Sequence, residues 1–156
     1  MINPDPQSLL KELHISEPKQ IDIEAIAQYC GATIVYEPLE GCDGRLIGSG
    51  NRAIITVNSL SSKERKRFSA AHELGHWMRH RGKVAFACEH QNFTREWTSE
   101  NREASANQYA ADLLLPEYLF SPAATGKPIT FTTVKKLAKQ FDKEYSLGKI
   151  YRLMDQ

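Results

Sequence analysis

The period of the apolar positions changes along this chain, and the changes divide it into elements. Near the start, Leu9, Leu10 and Leu13 recur at helical spacing behind Pro4 and Pro6, and Pro18 ends the pattern. Ile23, Ile26 and Ala27 repeat that spacing over 23–30, with Asp22 as the N-cap and Gly31 as the stop. The period then becomes that of strands. Residues 32–36, 45–48 and 53–57 are short β-branched runs, separated by the turn-rich 41–44 and by Gly50-Asn51. Links this short predict a small, mostly antiparallel sheet. One edge of it can take an extended peptide by strand addition, unless Arg45 or Arg52 blocks it.

A long helix is predicted over about 61–80. Ser61-Ser62-Lys63-Glu64 reads as its capping box, and Phe68, Ala71, Leu74 and Met78 as its buried stripe. Gly75 inside it costs about 1 kcal/mol against Ala, which close approach of another helix would offset. Residues 81–98 have no clear period and read as a loop with a short strand at 84–86, a candidate wall or lid for a cleft. A second long helix is predicted over 99–114, ending before Pro116. Ala104, Ala106, Ala110 and Ala111 make it slim enough to pack closely on a neighbour. A last helical region covers 132–141 and 143–154.

Composition narrows the class. With 156 residues, 41% apolar and 25% charged, the chain can bury a real core and is not disordered. We divide it into a core at 1–122 and a helical, basic extension at 123–156 packed on that core. The net charge of +1 demands neither nucleic acid nor membrane. Residues 127–156 alone carry +4, but direct nucleic-acid binding is not expected. Lys63, Arg65, Lys66 and Arg67 crowd the start of the first long helix, the wrong sign for its dipole, and read as a solvated face. Cys30, Cys42 and Cys88 do not form a disulfide framework. Reduced thiols, no signal peptide and no membrane-length apolar run make the cytoplasm the expected location.

The candidate chemistry sits in the first long helix. His72-Glu73-Leu74-Gly75-His76 reads H-E-x-x-H. Residues four apart share one helical face, so both imidazoles can reach one metal ion. Glu73 lies about 100° round the helix from His72 and about 60° from His76. It therefore flanks the ligand pair, where a general base for the attacking water should stand. A catalytic zinc usually has a third protein ligand. His80 is eight residues, about 12 Å of axis, from His72, too far to share an ion, and reads instead as a partner of the helix C-terminus. A metzincin would need histidine where Gly82 stands. Cys88 and His90 form a C-x-H pair, but in a loop, and a thiolate would suit a closed structural site. Glu103, on the second long helix, is the best third ligand, with Glu100 in reserve. Asn107, one turn beyond Glu103, is placed to hydrogen-bond a ligating histidine. Asp112 points roughly away.

These residues resemble a known family. Phe68-Ser69-Ala70-Ala71-His72-Glu73-Leu74-Gly75-His76, followed by the run from Glu103 through Ala106-Asn107 and Ala110 to Leu113-Leu114-Leu115-Pro116, is similar to the paired motifs of the ImmA/IrrE-type metallopeptidases. The segment 22–27 and the strand ending Val57-Asn58 resemble it too, so the likeness covers roughly 20–120. It implies an α+β, gluzincin-like fold, with His72, His76 and Glu103 on Zn2+ and Glu73 as base. It also implies a protein substrate, a helix-turn-helix repressor or an antitoxin encoded nearby. Leu137-Ala138-Lys139-Gln140-Phe141 fits that family's C-terminal pattern. A second hypothesis keeps the fold without the catalysis: a zinc-binding component of a toxin–antitoxin or regulatory pair that acts by binding protein. For an oxyanion donor the residues offer Tyr109, Tyr118 and His80 without choosing among them.

Overall fold

A computed structural model describes residues 4–80 and 97–119. The chain opens with helix α1, Pro6–Glu12, whose first turn is capped by the Asp5 carboxylate accepting from Ser8 N–H at 3.0 Å. A single 3-10 turn at Pro18–Gln20 leads to α2, Ile23–Tyr29. Asp22 caps α2 as expected, accepting from the N–H groups of Glu24 and Ala25 at 3.1 and 3.2 Å. Gly31 ends it at φ 88°, a left-handed turn that favours glycine.

Three strands follow: β1 Ala32–Glu37, β2 Gly44–Ser49 and β3 Arg52–Asn58. Their order in the sheet is β1-β3-β2. Gly50, at φ 61°, turns β2 back into β3, and that pair is antiparallel, with Gly44 opposite Val57. β3 then enters between β2 and β1 and runs parallel to β1, with Ala32 opposite Ala53. The sheet is therefore mixed, and the expected mostly antiparallel sheet holds for only one of its two pairings. Short links dictate antiparallel pairing only between strands that become neighbours, and β1 and β2 do not. Arg52 consequently lies on the central strand and cannot guard an edge. Arg45, on β2, which is an edge strand among the described residues, reaches back toward Glu37, 3.7 Å away.

Helix α3, Lys63–Arg79, packs between the sheet and α4, Trp97–Leu114. Ser62, one residue later than the expected box, is its N-cap, accepting from Arg65 N–H at 3.2 Å. The cations of its first turns are tethered. Arg65 binds Asp43 at 2.8 Å, Arg67 donates to the Ile21 carbonyl at 3.1 Å, and Lys66 lies over the Tyr36 ring. One core joins Leu9 and Leu10 of α1, Ile26 of α2, Leu46, Ile55 and Val57 of the sheet, Ala71 and Leu74 of α3, and Tyr109 and Leu113 of α4. Met78 is only half-buried, and Trp77 fills the place beside it, donating from Nε1 to the Cys30 carbonyl at 2.9 Å. A Cβ at Gly48 would stand 2.6 Å from the Trp77 ring, so the indole depends on that glycine. Cys30 is a buried thiol, but Cys42 is disulfide-bonded, which corrects the expectation of reduced cysteines throughout. No helix of the described residues is long and apolar enough to cross a membrane. The expected strand at 84–86, the Cys88/His90 pair, the segment 137–141 and the extension at 123–156 lie outside the described residues.

Candidate metal centre

His72 and His76 project from one face of α3, both buried. α4 crosses that face closely because position 75 is a glycine. A Cβ there would meet Tyr109 Cβ at 3.0 Å and the Ala106 Cα and carbonyl oxygen at 3.2 Å. Ala106 is itself fully buried, so the slim side of α4 faces the slim point of α3. The close crossing brings Glu103 over the histidines. Its carboxylate oxygens lie 2.8 Å from His76 Nε2 and 3.1 Å from His72 Nε2, and the two Nε2 atoms are 3.2 Å apart. One ligand atom from each of these three residues lies within 4.8 Å of the others, a group that can hold a metal ion.

The ring nitrogens turned away from this cluster are also engaged. His72 Nδ1 is 2.9 Å from Asn107 Oδ1, an oxygen that only accepts, so Nδ1–H donates and Nε2 keeps its lone pair for the cluster. The contact expected of Asn107 is therefore present. His76 Nδ1 is 3.0 Å from His80 Nδ1. His80 occupies the C-cap of α3 as expected, but its ring turns back onto His76, a role that its place at the helix end did not convey. The signal was available: His80 follows His76 by four residues, the same spacing that pairs His76 with His72.

Glu73 is 1% exposed and lies outside the three-residue group. It is wedged between α3 and the start of β2. A Cβ on Gly44 would come within 3.3 Å of Glu73 Cγ and of the Thr56 carbonyl oxygen. Gly44 is a site residue that sequence reasoning treated only as part of a turn. Its position is fixed through the preceding residue, Asp43, whose carboxylate is held by Arg65 and whose carbonyl accepts from Asn58 N–H at 2.8 Å. Asn58 also ties down the preceding loop, its side chain accepting from Leu39 N–H and donating to the Cys42 carbonyl.

The three oxyanion candidates are placed elsewhere. Tyr109 sends its ring into the core under Arg79, and its buried hydroxyl has no hydrogen-bond partner among the described residues. Burial, aided by nearby Cys30, pushes that phenol above its ordinary range. The Tyr118 hydroxyl donates to the Ile15 carbonyl at 2.7 Å. His80 stands behind His76. Asp112 is half-buried and accepts from Gln108 at 2.9 Å, apart from the cluster.

Two imidazole nitrogens and a carboxylate form a donor set for a divalent cation, and a buried glutamate flanks them. No curated protein matches the chain. The IrrE N-terminal-like domain of the Peptidase_M78 family matches residues 27–144, which include all of β1 to α4 and every residue of the centre. By that match the chain belongs to this family of metallopeptidases.

Proposed function

We propose that the chain is a zinc-dependent endopeptidase whose substrate is a helix-turn-helix repressor or an antitoxin. The observation that carries the zinc assignment is the spacing of the donor atoms. In a tetrahedral site with bonds of about 2.1 Å, ligand atoms stand roughly 3.4 Å apart. The two Nε2 atoms are 3.2 Å apart, near that figure, and Glu103 turns one carboxylate oxygen to each of them, Oε1 at 2.8 Å from His76 and Oε2 at 3.1 Å from His72. Bound zinc would supply Lewis-acid polarisation and bring the pKa of water toward ~7. His72, His76 and Glu103 would hold it.

The remaining chemistry belongs to Glu73. Its carboxylate takes a proton from the attacking water and passes it to the amine that leaves when the peptide C–N bond breaks. Burial against Gly44 limits its rotamers, so the base is held in place before substrate arrives. Among the described residues β2 lies at the edge of the sheet, and its first residue stands beside Glu73, so an extended peptide added there would pass the base. A repressor or antitoxin substrate rests on the family membership and the likeness of the paired motifs.

Incubating the zinc-loaded chain with any helix-turn-helix protein found in a neighbouring reading frame, and following both by mass spectrometry, tests this reading. The expected result is one or a few discrete cuts that a chelator abolishes and zinc restores. Stable complex formation without cleavage would favour the binding component of a regulatory pair.

A further inference from the structure

We infer that His80 is a positioning residue for the metal centre: it accepts the Nδ1–H of His76 and so sets the tautomer in which His76 can bind a cation. The inference rests on the metal-site reading above and concerns a residue outside the ligand set. The two Nδ1 atoms are 3.0 Å apart. Two lone pairs at that distance repel and two N–H groups collide, so neutral rings place one proton between them. Two arrangements satisfy this. Either His76 carries its proton on Nδ1 and His80 carries its own on Nε2, or the reverse.

The rest of the site selects the first. His76 Nε2 is the atom that faces His72 Nε2 at 3.2 Å and Glu103 Oε1 at 2.8 Å. For that nitrogen to offer a lone pair, the proton must sit on Nδ1, and His80 must accept it. His72 needs no such choice, because Asn107 Oδ1 can only accept. The two ligating histidines are thus oriented by unlike partners, an amide oxygen that acts one way and an imidazole that acts either way.

His80 is well held for this task. It is 8% exposed, and its own N–H donates to the His76 carbonyl at 2.8 Å. Its ring lies over the last turn of α3, with its centroid 5.1 Å from that of His76. A dipole partner at a helix end would need no contact with a ligand's ring nitrogen.

The test compares zinc affinity, by competition with a chromophoric chelator, in wild type, His80→Asn and His80→Phe. Asparagine keeps an acceptor near the place of Nδ1; phenylalanine keeps the ring and removes the acceptor. The expected result is an affinity near wild type for His80→Asn and a loss of about 10–100-fold for His80→Phe, the usual effect of removing such a partner. If His80 serves only to fill space, phenylalanine will bind zinc at least as well as asparagine, and the inference is overturned. Should either variant fail to fold, long-range ¹H–¹⁵N spectra of the zinc-loaded wild type decide the matter. A proton on His80 Nε2 and on His76 Nδ1 supports the inference, and a proton on His80 Nδ1 overturns it. A wild-type chain that binds no zinc overturns the metal-site reading and this inference together. Equal zinc affinity in all three chains overturns this inference alone.

Discussion

At the scale of single residues, the proposed mechanism separates holding from reacting. Glu73→Gln keeps shape and removes the ability to accept a proton at neutral pH. The variant should bind one zinc with unchanged affinity and lose about 10²–10⁴ of its cleavage rate. Loss of zinc from that variant would make Glu73 a ligand, and undiminished cleavage would leave it without a catalytic role. Glu103→Ala removes the one anionic donor and should weaken zinc binding strongly, whereas Glu100→Ala should change it little; equilibrium dialysis of both against zinc gives the order, and the reverse order would reassign the third ligand. Much of this was legible in the residues themselves. The i, i+4 spacing of His72 and His76 predicts a shared face, and Asn107, one turn past Glu103, reaches His72 as that spacing implies. Gly44 was not legible, and for His80 the i, i+4 spacing gave nearness to His76 without the turn of its ring. The contact of Gly44 with Glu73 depends on which strand lies at the sheet edge beside α3, and that of His80 on how the ring turns at the helix end.

At the scale of elements, helices were easier to read than the sheet. Capping chemistry and 3.6-residue periodicity are local, so Asp22, Gly31 and the body of α3 could be placed from sequence. Strand order is a long-range property. Nothing local in β1 says that its neighbour is β3, which is why the parallel pairing was missed. The α3–α4 crossing is an intermediate case: the glycine and the alanines advertised a close approach without giving its geometry. Gly75→Ala tests how tight that approach is. Helix propensity alone predicts a gain of about 1 kcal/mol. Against it stand contacts of 3.0 and 3.2 Å to Tyr109 Cβ and the Ala106 backbone, and backbone does not swing aside. Overpacking of this kind typically costs about 1–3 kcal/mol. We expect urea unfolding to report a net loss of stability, with weaker zinc binding as α4 carries Glu103 outward. A more stable variant with unchanged zinc affinity would mean that the helices are not in close contact at this point.

At the scale of the whole molecule, the centre is a clamp. Two of its donors lie on α3 and the third on α4, and these helices are the largest contact between elements in the described fold. α3 carries the sheet on its other side, while α4 carries Leu113 and Leu114 into the core shared with α1. A cation held by all three side chains therefore binds the folded chain and not the unfolded one, where residues 76 and 103 are far apart along the backbone. If zinc is that cation, as proposed, linkage requires that it stabilise the fold, by about 2.7 kcal/mol when free zinc is a hundredfold above its dissociation constant. For a chain of this size each kcal/mol moves the midpoint by roughly 2–4 °C, so calorimetry should record a rise of several degrees. The variants divide the effect by role. Glu73→Gln should show the full rise, since Glu73 lies outside the three-residue group. His72→Ala should show almost none, and Glu103→Ala a small one that needs far more zinc, because only the two histidines of α3 remain and the link to α4 is gone. Equal rises in wild type and Glu103→Ala would mean that the metal binds α3 alone, and the clamp between the helices would have to be abandoned.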